Sequence, residues 1–166
     1  MGKNTPIRAI IGVSYRRRQR ADLSETYYVK RADSMENYPG VWSLPSIQYD
    51  PSEIPDPLDL DAVSRVFARM SAERFGGTPI TVHQHLVTGS SDRNPMGRMV
   101  ELALYRISFA TDPMLDPRFY TASEWLTPYE FELRTVFAPL PCGLCTKLWG
   151  HYQREHGGDD LDLCSP

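Results

Sequence analysis

Cysteine is scarce in this chain: three in 166 residues is an odd number, and too few to staple a secreted scaffold. No apolar stretch approaches a bilayer span, and the polar, basic start Met1-Gly2-Lys3-Asn4 lacks the hydrophobic run of a secretory signal. The expectations that follow are a reducing, cytoplasmic setting and no membrane partner. Positive charge is not in excess either. Eighteen Lys+Arg stand against twenty-one Asp+Glu, a net charge of −3, so no global field draws the chain to nucleic acid. Nothing repeats at the period of a solenoid or propeller, and no segment is low in complexity.

What remains is an ordinary globular composition, 41% apolar and 23% charged, at the length of about one domain. Such a chain buries roughly two thirds of its unfolded surface without help from disulfides or a structural metal. A single domain over residues 1–156 is expected, with a frayed tail at 157–166.

Strand and helix signals alternate. Ile7 to Tyr15 and Thr26 to Lys30 are β-branched and aromatic, and they read as two strands of one sheet joined by the exposed polar stretch Arg16 to Glu25. Residues 50–61, with three prolines and five carboxylates, exclude a helix interior and read as a surface loop. A helix follows. Asp59 or Asp61 can cap it, Val63, Val66, Phe67 and Met70 fall at i, i+3, i+4, i+7, and Gly76-Gly77 stop it. Thr78 to His85 and Arg98 to Phe109 are strand-like, with the polar loop Gly89 to Gly97 between them. Thr127-Pro128 opens a short helix over Tyr129 to Phe137, and Gly143 to Glu155 forms a last one.

Pro39-Gly-Val-Trp-Ser-Leu-Pro45, the helix carrying Arg69, Glu73 and Gly76, and Glu124-Trp-Leu126 together resemble the Nudix superfamily over roughly residues 5–150. The pattern of that family is G-x5-E-x7-R-E-U-x-E-E-x-G-U, with U a bulky aliphatic residue, in a loop-helix-loop. The resemblance implies an α/β (α+β) fold, an α/β/α sandwich with a mixed sheet. It also implies Mg²⁺-dependent hydrolysis of nucleoside diphosphates linked to another group.

The physics of the motif is a charge count. Mg²⁺ needs several hard oxygen ligands, and carboxylates three or four residues apart on a helix can converge on it. With Arg69 aligned to the motif's arginine, the three helix glutamates correspond to Met70, Glu73 and Arg74, so one carboxylate survives. Met70 continues the apolar stripe and is expected in the core. Arg74 puts a fixed cation where a metal ligand would stand, and a guanidinium can hold a phosphate by itself. Upstream, Glu53 lies at the G-x5-E spacing from Ile47, but fifteen residues rather than seven separate it from Arg69; Asp61 sits at the family interval instead.

The leading expectation is a protein that binds a phosphorylated, nucleotide-type ligand, with ordinary magnesium-dependent hydrolysis weakened or lost. Glu73 and Glu53 are the candidate catalytic carboxylates, and Glu73, Glu53 and Asp61 the candidate magnesium ligands. Arg69, Arg74, Trp42, Tyr49, Ser90, Arg93 and Glu101 are the candidate ligand contacts. One alternative is an active but atypical enzyme in which Glu53 or Asp61, Glu73 and Glu101 gather a metal, or in which Arg74 replaces the metal charge. Another is an interaction module, with self-association to a homodimer, using an apolar patch near Phe137-Ala-Pro-Leu-Pro141.

Other clusters carry less. The basic run Arg16 to Arg20 fits a solvated turn better than a nucleic-acid patch. Cys142, Cys145, His151 and His156 could ligate zinc, but the cysteine-to-histidine gap is short for that use. His83, His85 and Asp92 flank the 89–97 loop and are acid/base candidates.

Overall fold

The structure is a computed structural model that describes residues 5–17, 24–36, 38–91, 97–135 and 144–156. In chain order the elements are β1 (Ile7–Val13), β2 (Tyr15–Arg17), β3 (Ser24–Arg31), β4 (Trp42–Ser43), β5 (Ser46–Gln48), α1 (Leu60–Arg74), β6 (Ile80–Ser91), β7 (Val100–Phe109), β8 (Tyr120–Leu126), α2 (Pro128–Thr135) and α3 (Leu144–Glu155). One sheet runs β5-β1-β7-β6, with β1 and β7 parallel and the other pairs antiparallel. In the second sheet, antiparallel throughout, β3 pairs with β8 along one side and with the short β2 and β4 in succession along the other.

The expectation that Ile7–Tyr15 and Thr26–Lys30 share a sheet is therefore corrected. β1 and β3 lie in different sheets, and only Tyr15–Arg17 pairs with β3. The chain changes sheets at the buried Ser14, whose carbonyl accepts the Tyr27 N–H at 2.8 Å. The switch leaves the apolar pattern continuous, so hydrophobicity alone does not mark it. β6 also runs to Ser91, into the expected loop, because its ladder with β7 continues through Ser90↔Glu101 and Ser91↔Val100.

Alternation along the strands builds two cores. Ile10, Tyr27, Val29, Ala103, Tyr105 and Ile107 face one way and pack with Val63, Val66, Phe67 and Met70 of α1. Ile11, Val13, Tyr28, Leu102 and Leu104 face the other way and pack with Cys145 and Trp149 of α3 and with Phe131 of α2. The result is an α+β sandwich, a mixed sheet with three helices among the described residues. Gly12 is required where α1 meets the sheet, since a Cβ there would lie 2.4 Å from Ile107 Cδ1 and 3.3 Å from Phe67.

The helix that would carry the motif is built as its sequence dictates. Asp59 caps it, accepting the N–H groups of Asp61 (3.1 Å) and Ala62 (3.3 Å). Its end is fixed by Gly76 and Gly77 at φ 62° and 79°, where the Gly77 N–H returns to the Ser71 carbonyl at 2.9 Å. The proline-rich loop before it is anchored rather than purely surface: Ile54 is buried, and the Tyr105 hydroxyl donates to the Pro57 carbonyl at 2.7 Å.

Candidate functional site

α1 ends against β5 and the start of β8, and Arg74 is the last helical residue. Its Nε donates to Glu73 at 3.2 Å, and its Nη1 donates to the Ser46 carbonyl at 3.0 Å and the Tyr120 hydroxyl at 3.2 Å. The Tyr120 hydroxyl in turn accepts the Ser46 N–H and donates to the Ser46 carbonyl. The guanidinium lies 4.5 Å from the Phe119 ring centroid, and the side chain is only 13% exposed. Arg74 is held by an oxygen, a hydroxyl and an aromatic face at once, so its direction is fixed.

Beside it opens a cleft of about 260 Å³ lined from both sheets. Ile7, Ala9, Ile11, Val100 and Leu102 form its apolar floor. Arg31, Arg74, Glu36, Ser46 and Gln48 supply polar groups on its walls, and Tyr38 and Cys145 also reach it. Burial pushes the pKa of Arg31 below its ordinary value, and the nearby Arg74 charge pushes the same way. Arg31 nonetheless stays a cation at neutral pH. Two guanidiniums facing one cleft repel each other, and an anion placed there relieves that repulsion while gaining charge-assisted hydrogen bonds.

The candidate carboxylates lie in ion pairs. Glu53 holds Arg69, whose Nη2 donates to both of its oxygens at 3.2 and 3.1 Å and to the Gln48 carbonyl at 3.1 Å. Glu73 holds Arg74 and lies within electrostatic reach of Arg118. Arg118 is itself paired with Asp116, and its hydrogen bonds hold that carboxyl below the usual range. Asp61 is exposed in the first turn of α1, and Met70 is fully buried in the core. Among the described residues no three His, Cys, Asp or Glu side chains come together to hold a metal ion. Glu53 and Glu73 are thus each engaged by an arginine, and among the described residues neither stands within a group of three such side chains.

The remaining candidates scatter. Trp42 packs with the core on the α3 side, and Tyr49 with the core on the α1 side. Glu101 pairs with Arg8 at 2.9 Å, and Ser90 is exposed beside it on β6. None of these four lines the cleft. The alternative cage of Glu53 or Asp61 with Glu73 and Glu101 is not assembled among the described residues. Arg93, Asp92, Cys142, the run 18–20 and the apolar patch beginning at Phe137 lie outside the described residues.

His83 and His85 bond Ser108 and Thr88 on the strand surface, and burial lowers both pKa values. Cys145 is buried against the Ser43 hydroxyl, His151 pairs with Glu155, and His156 stacks on Tyr152, so the described members of the zinc set do not converge. Arg16 lies over the Trp125 ring and pairs with the buried Glu25. Sequence reasoning missed Arg31 and Tyr38. No motif marks them, and only the fold of the β3–β4 connection brings them to Arg74.

No family model matches the chain, and no curated protein sequence does. Solved structures match it in fold. The chain is similar to the MutT protein of Methanosarcina mazei Go1, at 13% identity over 95% of this chain and 100% of that one, with a TM-score of 0.65. It is similar to the Nudix domain of Shewanella oneidensis NrtR, solved with ADP ribose, at 17% identity over 92% and 89% of the two chains, TM-score 0.59. The C-terminal domain of mouse MUTYH, solved in complex with human PCNA, matches at 17% identity over 96% and 97%, TM-score 0.55. At these identities the likeness is one of architecture, and the architecture is the Nudix fold.

Proposed function

We propose that the protein binds a phosphorylated, nucleotide-type ligand in the cleft beside Arg74, with magnesium-dependent diphosphate hydrolysis weakened or lost. The observation that carries this reading is the pairing of two inward guanidiniums, Arg31 and Arg74, with an apolar floor in one cleft. An anionic group complements the charge of the two, and the flat face of a base or a similar apolar body covers the floor. The Nudix domain of NrtR with ADP ribose supports the ligand class. Loss of hydrolysis is supported by the arginine partners of Glu73 and Glu53 and by the burial of Met70. The low cysteine content fits a cytoplasmic setting for such a ligand.

Native mass spectrometry of freshly purified protein tests the binding, and a panel of nucleoside diphosphate derivatives with magnesium tests the chemistry. A retained phosphate-bearing mass and turnover near background are expected. Fast turnover abolished by chelator overturns the loss of hydrolysis.

A second reading, an interaction module, is favoured by α2, where Tyr129 and Leu133 stand 68% and 53% exposed one turn apart, and by the PCNA complex of the MUTYH domain. Light scattering at high concentration tests its self-associating form: a homodimer supports it, and a clean monomer removes it.

A further inference from the structure

We propose that Arg74 is a built-in cation standing between the Glu73 carboxylate and the Ser46 carbonyl, and that the cleft binds its ligand's phosphate groups through Arg74 without a divalent metal. This inference rests on the phosphorylated-ligand reading above and adds how the charge of that ligand is met.

A guanidinium has five N–H donors. In Arg74, Nε is given to Glu73, and Nη1 to the Ser46 carbonyl and the Tyr120 hydroxyl. Nη2 has no partner among the described residues, and the side chain lines the cleft. The three committed donors act as anchors. Tyr120 is fully buried, and its hydroxyl is saturated by Ser46 and Arg74 together. Phe119 covers the guanidinium plane, and the Arg74 carbonyl accepts the Asp116 N–H at 2.9 Å, which fixes the backbone below it. Two N–H bonds are therefore left on a rigidly aimed cation in a partly desolvated wall.

The oxygens that Arg74 engages are those a hard cation would need here, a glutamate carboxylate and a backbone carbonyl. A magnesium ion at the same place would have to displace the guanidinium and stand beside its charge. Arg31 lies on the same cleft, so a phosphate entering it meets two positive groups and one carboxylate of its lining, Glu36. Binding by preorganised arginines is governed by charge-assisted hydrogen bonds, each worth about 1.5–3 kcal/mol, or roughly tenfold to a hundredfold in affinity.

Titration calorimetry with inorganic pyrophosphate and with a nucleoside diphosphate, in chelator and then in magnesium, tests this on the unaltered full chain. Binding in chelator at an affinity equal to or higher than that in magnesium is expected. Arg74→Gln is expected to weaken it at least about tenfold and Arg74→Lys to recover part of the loss, with thermal melting of each variant recorded alongside. Binding that requires magnesium overturns the built-in cation and leaves the phosphorylated-ligand reading standing. No binding under either condition overturns both, and an Arg74→Gln protein that melts as the parent and binds undiminished removes Arg74 from the site.

Discussion

At the scale of single residues, the substitution pattern in α1 has two separable effects. Glu73 anchors Arg74 from a half-buried position and does not itself line the cleft, so Glu73→Gln is expected to change ligand affinity by no more than about fivefold, the worth of a largely solvent-screened ion pair. Calorimetry checks this, and a loss of any turnover by orders of magnitude would instead give Glu73 a catalytic part. Met70 is a different case, because it is fully buried among Val63, Val66 and Phe67. Met70→Glu is expected to destabilise the protein by about 3–5 kcal/mol through an unpaired buried charge, measured by chemical denaturation. Unchanged stability would show that this position opens to solvent. Arg74 was legible in the sequence because motif spacing places it. Arg31 was not, since its place at the cleft comes from the path of the chain around β3, and the same apolar rings at Trp42 and Tyr49, which are partly buried against the two cores, serve a core or a ligand alike in sequence.

Among the elements, those defined by local chemistry were readable and those defined by partner choice were not. The cap at Asp59, the buried stripe and the Gly76-Gly77 stop all follow from spacing. So does α2, where Thr127 and Glu130 form a reciprocal capping box, the Thr127 N–H donating to Glu130 at 3.0 Å and the Glu130 N–H to the Thr127 hydroxyl at 3.2 Å. Thr127→Ala is expected to cost about 1 kcal/mol and to speed amide exchange in α2 selectively. Unaltered exchange there would show that packing on β8 alone holds the helix. By contrast, the sheet switch at Ser14 and the extension of β6 to Ser91 depend on long-range ladders that no local window contains.

For the whole molecule, electrostatics set a pH limit. Burial lowers the pKa of His83 and His85 from the ordinary 6.5, so the folded state resists protonation that the unfolded state accepts. Their contribution to stability is fully present above pH 6.5 and is lost as pH falls through the lowered values. Denaturant midpoints measured downward from pH 7.5 are expected to fall below pH 6.5, and His83→Gln with His85→Gln to flatten that part of the curve; an equal slope in the variant would assign the loss to other groups. With a net charge of −3 the cleft's two arginines are a local concentration of positive charge, which the overall composition does not reveal and only the motif spacing at Arg74 suggests. A crystal structure of the protein grown with a nucleoside diphosphate and excess magnesium decides whether Arg74 or a metal ion meets the phosphate. The expected result is a phosphate oxygen about 2.7–2.9 Å from Arg74 Nη2, with the guanidinium still between Glu73 and Ser46. Magnesium bound to Glu73 and the Ser46 carbonyl, with Arg74 turned out of the cleft, would contradict it.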